Sequence, residues 1–337
     1  SNGSGPYFYL PKLEHYLECR MLNEVISFCE KKLDIEVGTV KVTVLIETIN
    51  AVFQMDEFLW ELKDHIVGLN AGRWDYLFSY QKVYRNTKKV ILPDRSKVNM
   101  FVPFMSNYNK LLVDTCHKRG AFGMGGMSAQ VIAKANPKEV NEKALMGVKK
   151  DKQRELEQGN DGAWVAHPSL VEPVKNIFEK NFKGPNQLNK FNNQEINRRD
   201  LLDEPKIDNA ITELGIRENL AEGIEYLAFW LIGTGCCVVN YLMADAATCE
   251  VSRAQLWVWI KYKVKLNDGR IIDKKLIEEL IKDELNKIKK RFLDWKKRTG
   301  DKSLDHVSFE NAAKIFLDMI TKENFDDFLT LPLYEKI

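Results

Sequence analysis

Two carboxylates at strand ends open the chemical reading. Glu47 directly follows Val42–Ile46, a continuous β-branched run that reads as a strand buried on both faces. Asp75 comes 28 residues later, a few positions past the next short apolar run, His65–Leu69. That interval is about one strand–helix repeat. In a β/α barrel, residues just beyond the strands line the mouth where active sites are built. Two carboxylates on neighbouring strand ends can converge on one hard cation. Magnesium suits them, because it takes few protein carboxylates and keeps positions for water or substrate oxygens. Read alone, each is more often a helix-start charge or a surface group. A third carboxylate, Asp245, stands before Ala246 and Ala247 and by itself reads as a helix N-cap.

The elements that must position these groups alternate over the first two hundred residues. Tyr7–Leu10, Val42–Ile46, His65–Leu69, Ala121–Gly125 and Ala163–Ala166 are strand candidates. Leu13–Lys32, Ile49–Asp64, Pro103–Arg119, Lys138–Gln158 and Pro168–Lys180 are the helices expected between and after them. Alternation of this kind predicts a parallel sheet, and the repeat length suits a β/α barrel. A barrel needs eight strands, so five candidates imply a partial barrel whose first strands are absent. The expected fold is therefore α/β: a partial barrel over residues 1–182, a linker over 183–208, and an all-helical domain over 209–337. Lys183–Asp200, rich in Asn, Gln and Arg, marks the linker. Asn209–Leu231, Ser252–Tyr262, Asp273–Arg298 and Ser308–Thr321 are the helices expected after it. Leu276, Ile277, Leu280, Ile281, Leu285, Ile288, Phe292 and Trp295 recur at helical spacing and read as a core-facing stripe.

Composition narrows the function classes. The 337 residues are 45% hydrophobic and 29% charged, with a net charge of +2. That balance gives no electrostatic footprint for nucleic acid or an anionic membrane. No apolar run approaches the roughly 18 residues that a membrane helix needs. The opening Ser-Asn-Gly-Ser-Gly lacks the charged and apolar regions of a signal peptide, and it lacks an initiator Met. Cysteines at 19, 29, 116, 236, 237 and 249 have no metal-ligand spacing and read as reduced thiols. Gly123-Met124-Gly125-Gly126-Met127 does not have the spacing of a dinucleotide fingerprint. His65 and His117 lack partners at metal-ligand spacing, and His167 before Pro168 reads as a packed or hydrogen-bonded histidine.

One stretch is more specific than any of these. His65-Ile66-Val67-Gly68-Leu69-Asn70-Ala71-Gly72-Arg73-Trp74-Asp75-Tyr76-Leu77-Phe78 resembles the malate synthase signature almost residue for residue. Gly5–Lys12, Cys116–Ala121 with Gly125–Gln130, Asp161–Pro168 and Phe328–Tyr334 resemble other segments of that family, so the likeness covers essentially the whole chain. It implies condensation of acetyl-CoA with glyoxylate, then thioester hydrolysis to malate and CoA, in the glyoxylate cycle. It further implies that Glu47 and Asp75 ligate Mg²⁺ and that Gly72, Arg73, Trp74 and Asp75 contact glyoxylate. Asp245 matches the family's catalytic base, and Pro103 lies in a family-like segment near the expected CoA adenine.

The chain departs from the family pattern twice. Ala244 stands where members usually have Glu, and no residue matches the catalytic arginine of an early barrel strand. A competing reading follows: a truncated, catalytically inactive chain that only binds metal or a partner. Some members are fused behind an isocitrate lyase domain, which makes a piece of a bifunctional protein a related possibility. Other magnesium-dependent barrel lyases also use a Glu and Asp pair, but the Asp245 segment is unnecessary in a stand-alone barrel. The expected location is intracellular, in glyoxysome or peroxisome, mitochondrion or cytoplasm. The ending Tyr334-Glu335-Lys336-Ile337 is not a peroxisomal Ser-Lys-Leu signal.

Overall fold

Alternation of apolar runs with amphipathic stretches builds a parallel sheet in the first of two units. The computed structural model describes residues 3–88, 90–202, 209–299 and 306–336. Ser1, Asn2, residues 203–208 of the expected linker and Ile337 of the C-terminal motif lie outside them. One unit comprises Ser1–Ser79 and Met100–Asp203, and the other Tyr80–Asn99 and Glu204–Ile337. Residues 80–99, expected within the barrel portion, thus count with the helical unit.

In the first unit the chain runs β1 (Tyr7–Leu10), α1 (Tyr16–Lys32), β2 (Lys41–Ile46), α2 (Met55–Glu61), β3 (Ile66–Ala71) and α3 (Trp74–Tyr84, whose last residues belong to the second unit). It continues through α4 (Pro103–Lys118), β4 (Phe122–Ser128), α5 (Lys138–Gln158), β5 (Gly162–Val165), α6 (Val171–Asn181) and α7 (Arg198–Leu202). The strands pair in parallel in the order β1-β2-β3-β4-β5. Laid flat, β1 and β5 would be roughly 19 Å apart at about 4.8 Å per strand. Yet the rings of Tyr9 on β1 and Trp164 on β5 lie 4.3 Å apart. The sheet therefore curls, as half of a barrel does, and this unit with its helices is a partial β/α barrel.

All five expected strands form, each within a few residues of its expected bounds. β2 was expected to be buried on both faces. Val42, Val44 and Ile46 are fully buried, but the alternate Lys41, Thr43 and Leu45 are only half covered. The helix expected over Ile49–Asp64 is broken: a short 3-10 turn at Ala51–Phe53 precedes α2. There the Thr48 hydroxyl accepts from the Ala51 N–H at 3.2 Å, which diverts the backbone into a tight turn. The Lys183–Asp200 segment is pinned rather than free. Gln187 N–H donates to Asp161 at 2.7 Å, Asn192 N–H to Asp114 at 2.9 Å, and Arg198–Leu202 is helical.

The second unit carries α8 (Glu213–Trp230), strands β6 (Cys237–Val239) and β7 (Leu242–Ala244), α9 (Ala246–Lys261), α10 (Lys274–Thr299) and α11 (Phe309–Thr321). Ile216, Leu220, Ile224, Leu256, Trp259, Ile277, Ile288, Phe316 and Ile320 form its core. Ile277, Leu280, Ile281 and Ile288 of the expected stripe are buried, and Leu276, Leu285 and Phe292 pack against them. At Gly223 a Cβ would lie 2.1 Å from the Phe316 ring, so glycine is what lets α8 and α11 approach. Among the described residues this domain is helical apart from the antiparallel hairpin of β6 with β7 and an isolated bridge between Lys265 and Ile271. Asn240 and Tyr241 turn it with φ of 47° and 65°, the left-handed pair a two-residue hairpin loop requires. Three-residue strands give too short an alternation to read from sequence.

Candidate active site

The barrel strands carry the first group of site residues. Glu47 follows β2 directly and is 1% exposed. Asp75 sits in the first turn of α3, after β3 and the Gly72-Arg73 corner. Gly72 N–H bonds to the Ile46 carbonyl at 3.2 Å, which ties that corner to the end of β2. A Cβ on Gly72 would stand 2.8 Å from the Glu47 Cβ and 3.2 Å from Leu45, so the close pass needs glycine. Tyr108 of α4 reaches in from behind, donates its hydroxyl to the Ile46 carbonyl and stacks on Tyr76 of α3, with ring centres 4.4 Å apart. Helix α4 thus braces the residue before Glu47 and the residue after Asp75.

The structure brings Glu47 and Asp75 together, as the spacing argument required. Burial first, and then the Asp75 charge, push the Glu47 carboxyl up to about 9. Lys12 answers the pair. Its main-chain N–H bonds to Glu47 Oε1 at 2.6 Å, and its ammonium lies 2.7 Å from Asp75 Oδ2 and 4.0 Å from Glu47 Oε1. Sequence reasoning gave Lys12 no role, because its orientation depends on a left-handed backbone with φ of 58°. Tyr9 is a second such residue. It packs on Trp164, and burial and then the Glu47 charge raise its hydroxyl far above the usual phenol range.

The donor set fits magnesium. Two carboxylates from successive strand–helix units share one place, and the lysine ammonium there stands in for a cation. Among the described residues no three His, Cys, Asp or Glu side chains gather as a metal cluster. Two protein ligands are what Mg²⁺ ordinarily takes, with water or substrate oxygens filling the rest. Of the other predicted contacts, Arg73 lays its guanidinium 4.1 Å over the Trp74 ring. Pro103 is the exposed first residue of α4. His65 and His117 are satisfied structural histidines: His65 bonds Glu30 at 3.0 Å and Asn23 at 2.7 Å, and His117 bonds Asp161 at 3.0 Å and the Lys190 carbonyl at 2.7 Å.

Asp245 belongs to the second unit, and it is the N-cap of α9. Its Oδ1 accepts from the Ala247 and Thr248 N–H groups at 2.9 and 3.2 Å, while its own N–H donates to the Thr248 hydroxyl at 3.2 Å. The cap fixes the carboxylate and leaves it half-buried. Helix α9 therefore begins six residues earlier than expected. Around the cap lies a polar cluster that sequence reasoning missed. Arg95 donates to Ser252 at 2.7 Å and lies 3.8 Å from Glu222, and both ends of that ion pair are buried. Burial, opposed by Arg95 and a Thr248 hydrogen bond, holds the Glu222 carboxyl above its usual range, and the Asp245 charge adds to the rise. Although Ala244 is apolar, Asp245 thus keeps an acidic neighbour from α8.

Comparison with known proteins agrees with this architecture. Residues 1–204 match the malate synthase TIM-barrel domain and residues 210–337 the malate synthase C-terminal domain. The glyoxysomal malate synthase of Candida tropicalis is 45% identical over 341 residues, spanning 100% of this chain and 60% of that protein. The bifunctional glyoxylate cycle protein of Caenorhabditis elegans is 43% identical over 338 residues, spanning 100% of this chain and 34% of that one. A Haloferax volcanii malate synthase, solved as a pyruvate/acetyl-CoA ternary complex, shares the fold. Its TM-score is 0.52 at 14% identity, over 75% of this chain and 62% of that one. A partial TIM-type barrel followed by a helical domain, with sequence matches along its full length, defines the class, and the chain belongs to the malate synthase family. It spans about 60% of the length of the malate synthases it matches.

Proposed function

We propose that this chain carries malate synthase chemistry, with Glu47 and Asp75 as magnesium ligands and Asp245 as the base. The observation that supports it most is the convergence of Glu47 and Asp75 on one cation position, in a chain of this family. Bound magnesium would polarise the glyoxylate aldehyde as a Lewis acid and hold its carboxylate. The turn from Gly72 to Asp75, at the amino end of α3, would receive the same carboxylate, since the positive end of the helix dipole favours an anion there.

Asp245 would accept a proton from the acetyl methyl of acetyl-CoA. The methyl carbon then bonds to the aldehyde carbon, the aldehyde oxygen takes up a proton, and water cleaves the thioester to release malate and CoA. An aspartate is a weak base for such a carbon acid, so it works through position and through stabilisation of the enolate. The two N–H bonds at the head of α9 supply that position. Pro103 is the proposed contact for the CoA adenine. The proposed setting is intracellular, in the glyoxylate cycle.

A second reading rests on the sheet. Among the described residues, β1 and β5 each have one unpaired edge, and exposed parallel edges invite pairing. It makes the chain a binding part that works only with further polypeptide, such as an isocitrate lyase partner. Turnover separates the two: CoA thiol release from acetyl-CoA, glyoxylate and Mg²⁺, in this chain and in Asp245→Asn. Magnesium-dependent release that collapses in the variant supports catalysis. No release from a folded chain overturns it in favour of the binding reading.

A further inference from the structure

The Lys12 side chain lays its ammonium against both carboxylates of the proposed metal site. Its ammonium is 2.7 Å from Asp75 Oδ2 and 4.0 Å from Glu47 Oε1, the two oxygens offered as ligands. Its place on the chain does not depend on that ammonium, because the main-chain N–H already anchors the residue to Glu47 at 2.6 Å. The left-handed backbone, with φ of 58° directly after Pro11, aims the side chain at the pair, a conformation a lysine adopts only where its surroundings enforce it. The side chain is 45% exposed, so solvent is open to it when it leaves.

We propose that Lys12 is a built-in competitor for metal: its ammonium pairs with Asp75 beside Glu47 in the metal-free protein and is displaced when a divalent cation binds. This rests on the metal-site reading above and adds to it. Two like charges cannot occupy one position between two carboxylates, so ammonium and metal exclude each other. The apparent metal affinity is then lowered by the fraction of molecules in which the lysine holds the site. The exposed half of the lysine keeps this ion pair modest, so the expected penalty is about three- to fivefold. In exchange, Asp75 does not stand without a compensating charge when metal is absent.

The test is Mn²⁺ binding to the full chain without substrate, followed by electron paramagnetic resonance of the free ion. Four proteins are compared: wild type, Lys12→Met, Lys12→Arg and Asp75→Asn, with Lys12→Gln as a second neutral variant should Lys12→Met not fold. The expected result is binding about three- to fivefold tighter in the neutral variant and near wild type in Lys12→Arg. In EDTA the neutral variant should unfold at a lower temperature than wild type, and saturating Mn²⁺ should close that gap. Neutral variants that bind Mn²⁺ equally or more weakly, while Asp75→Asn abolishes binding, overturn the competitor role alone. Wild-type binding that Asp75→Asn leaves unchanged overturns the metal-site reading, and the competitor role with it.

Discussion

The carboxylates of the two units are satisfied in opposite ways. Glu250 on α9 is fully buried, and the protein serves both of its oxygens: Arg253 at 2.6 Å on one, the Leu329 N–H at 2.5 Å on the other. Arg253 in turn donates to the Asp326 carbonyl at 3.0 Å, so this pair fastens the C-terminal segment to α9. Asp245, one turn earlier, is held by two main-chain N–H groups. Glu47 is as buried as Glu250, yet the Asp75 charge presses on it, and one half-exposed lysine answers both. A fold can close an ion pair wherever it needs rigidity. Where a buried and a half-buried carboxylate share one lysine beyond successive barrel strands, the proposed site has room for a cation from outside.

That contrast can be tested from its strongest consequence downward. Asp245→Asn should lower kcat for CoA release by about 10²–10⁴-fold, the usual worth of a positioned base. Its thermal midpoint should barely move, because asparagine caps a helix as well as aspartate does. Equal losses of stability and rate would make Asp245 a cap and nothing more. Glu250→Ala should leave Arg253 buried without its partner and cost about 3–5 kcal/mol in urea unfolding. A small cost there would erase the difference between the two units. Gly72→Ala should cost about 1–3 kcal/mol through its clash with Glu47 and should weaken Mn²⁺ binding at the same time. Destabilisation with unchanged metal affinity would detach Gly72 from the site.

The smallest expected effect is on pH dependence in the first unit. Burial lowers the basicity of His117, but the hydrogen bond and charge of Asp161 and the Lys190 carbonyl outweigh it, so its folded value lies above 6.5. A group raised on folding adds stability that is complete below its unfolded value. That stability is lost as pH rises through the folded value. Unfolding midpoints should therefore fall as pH climbs above about 6.5, and His117→Gln should flatten that slope. A wild-type profile already flat across this range would remove the histidine from the account.

Much of the barrel was legible because its signals are local. β2 reads from a β-branched run, α5 from its place between two strand runs, and the stripe of α10 from helical periodicity. The positions of Glu47 and Asp75 just past successive strands followed from the strand runs and the repeat length, while their pairing as ligands came from the family resemblance. Helix α3 escaped notice, since Trp74–Tyr84 is rich in aromatic residues that favour strands as much as helices. Lys12 could not be read at all, because its role needs a backbone angle that no residue type announces. Arg95 and Glu222 lie more than a hundred residues apart and meet only through tertiary packing within the second unit. At Asp245 the local signal predicts the cap that is present, and the proposed catalytic role rests on the family resemblance.

The central claim is that Glu47 and Asp75 are a magnesium site this chain uses. The most direct test is CoA release by the full chain, stripped with EDTA and then titrated with Mg²⁺, beside Asp75→Asn. The account predicts no release in EDTA, saturable recovery in the wild type, and little or none in the variant. Release that persists in EDTA, or a variant that titrates like the wild type, would contradict it.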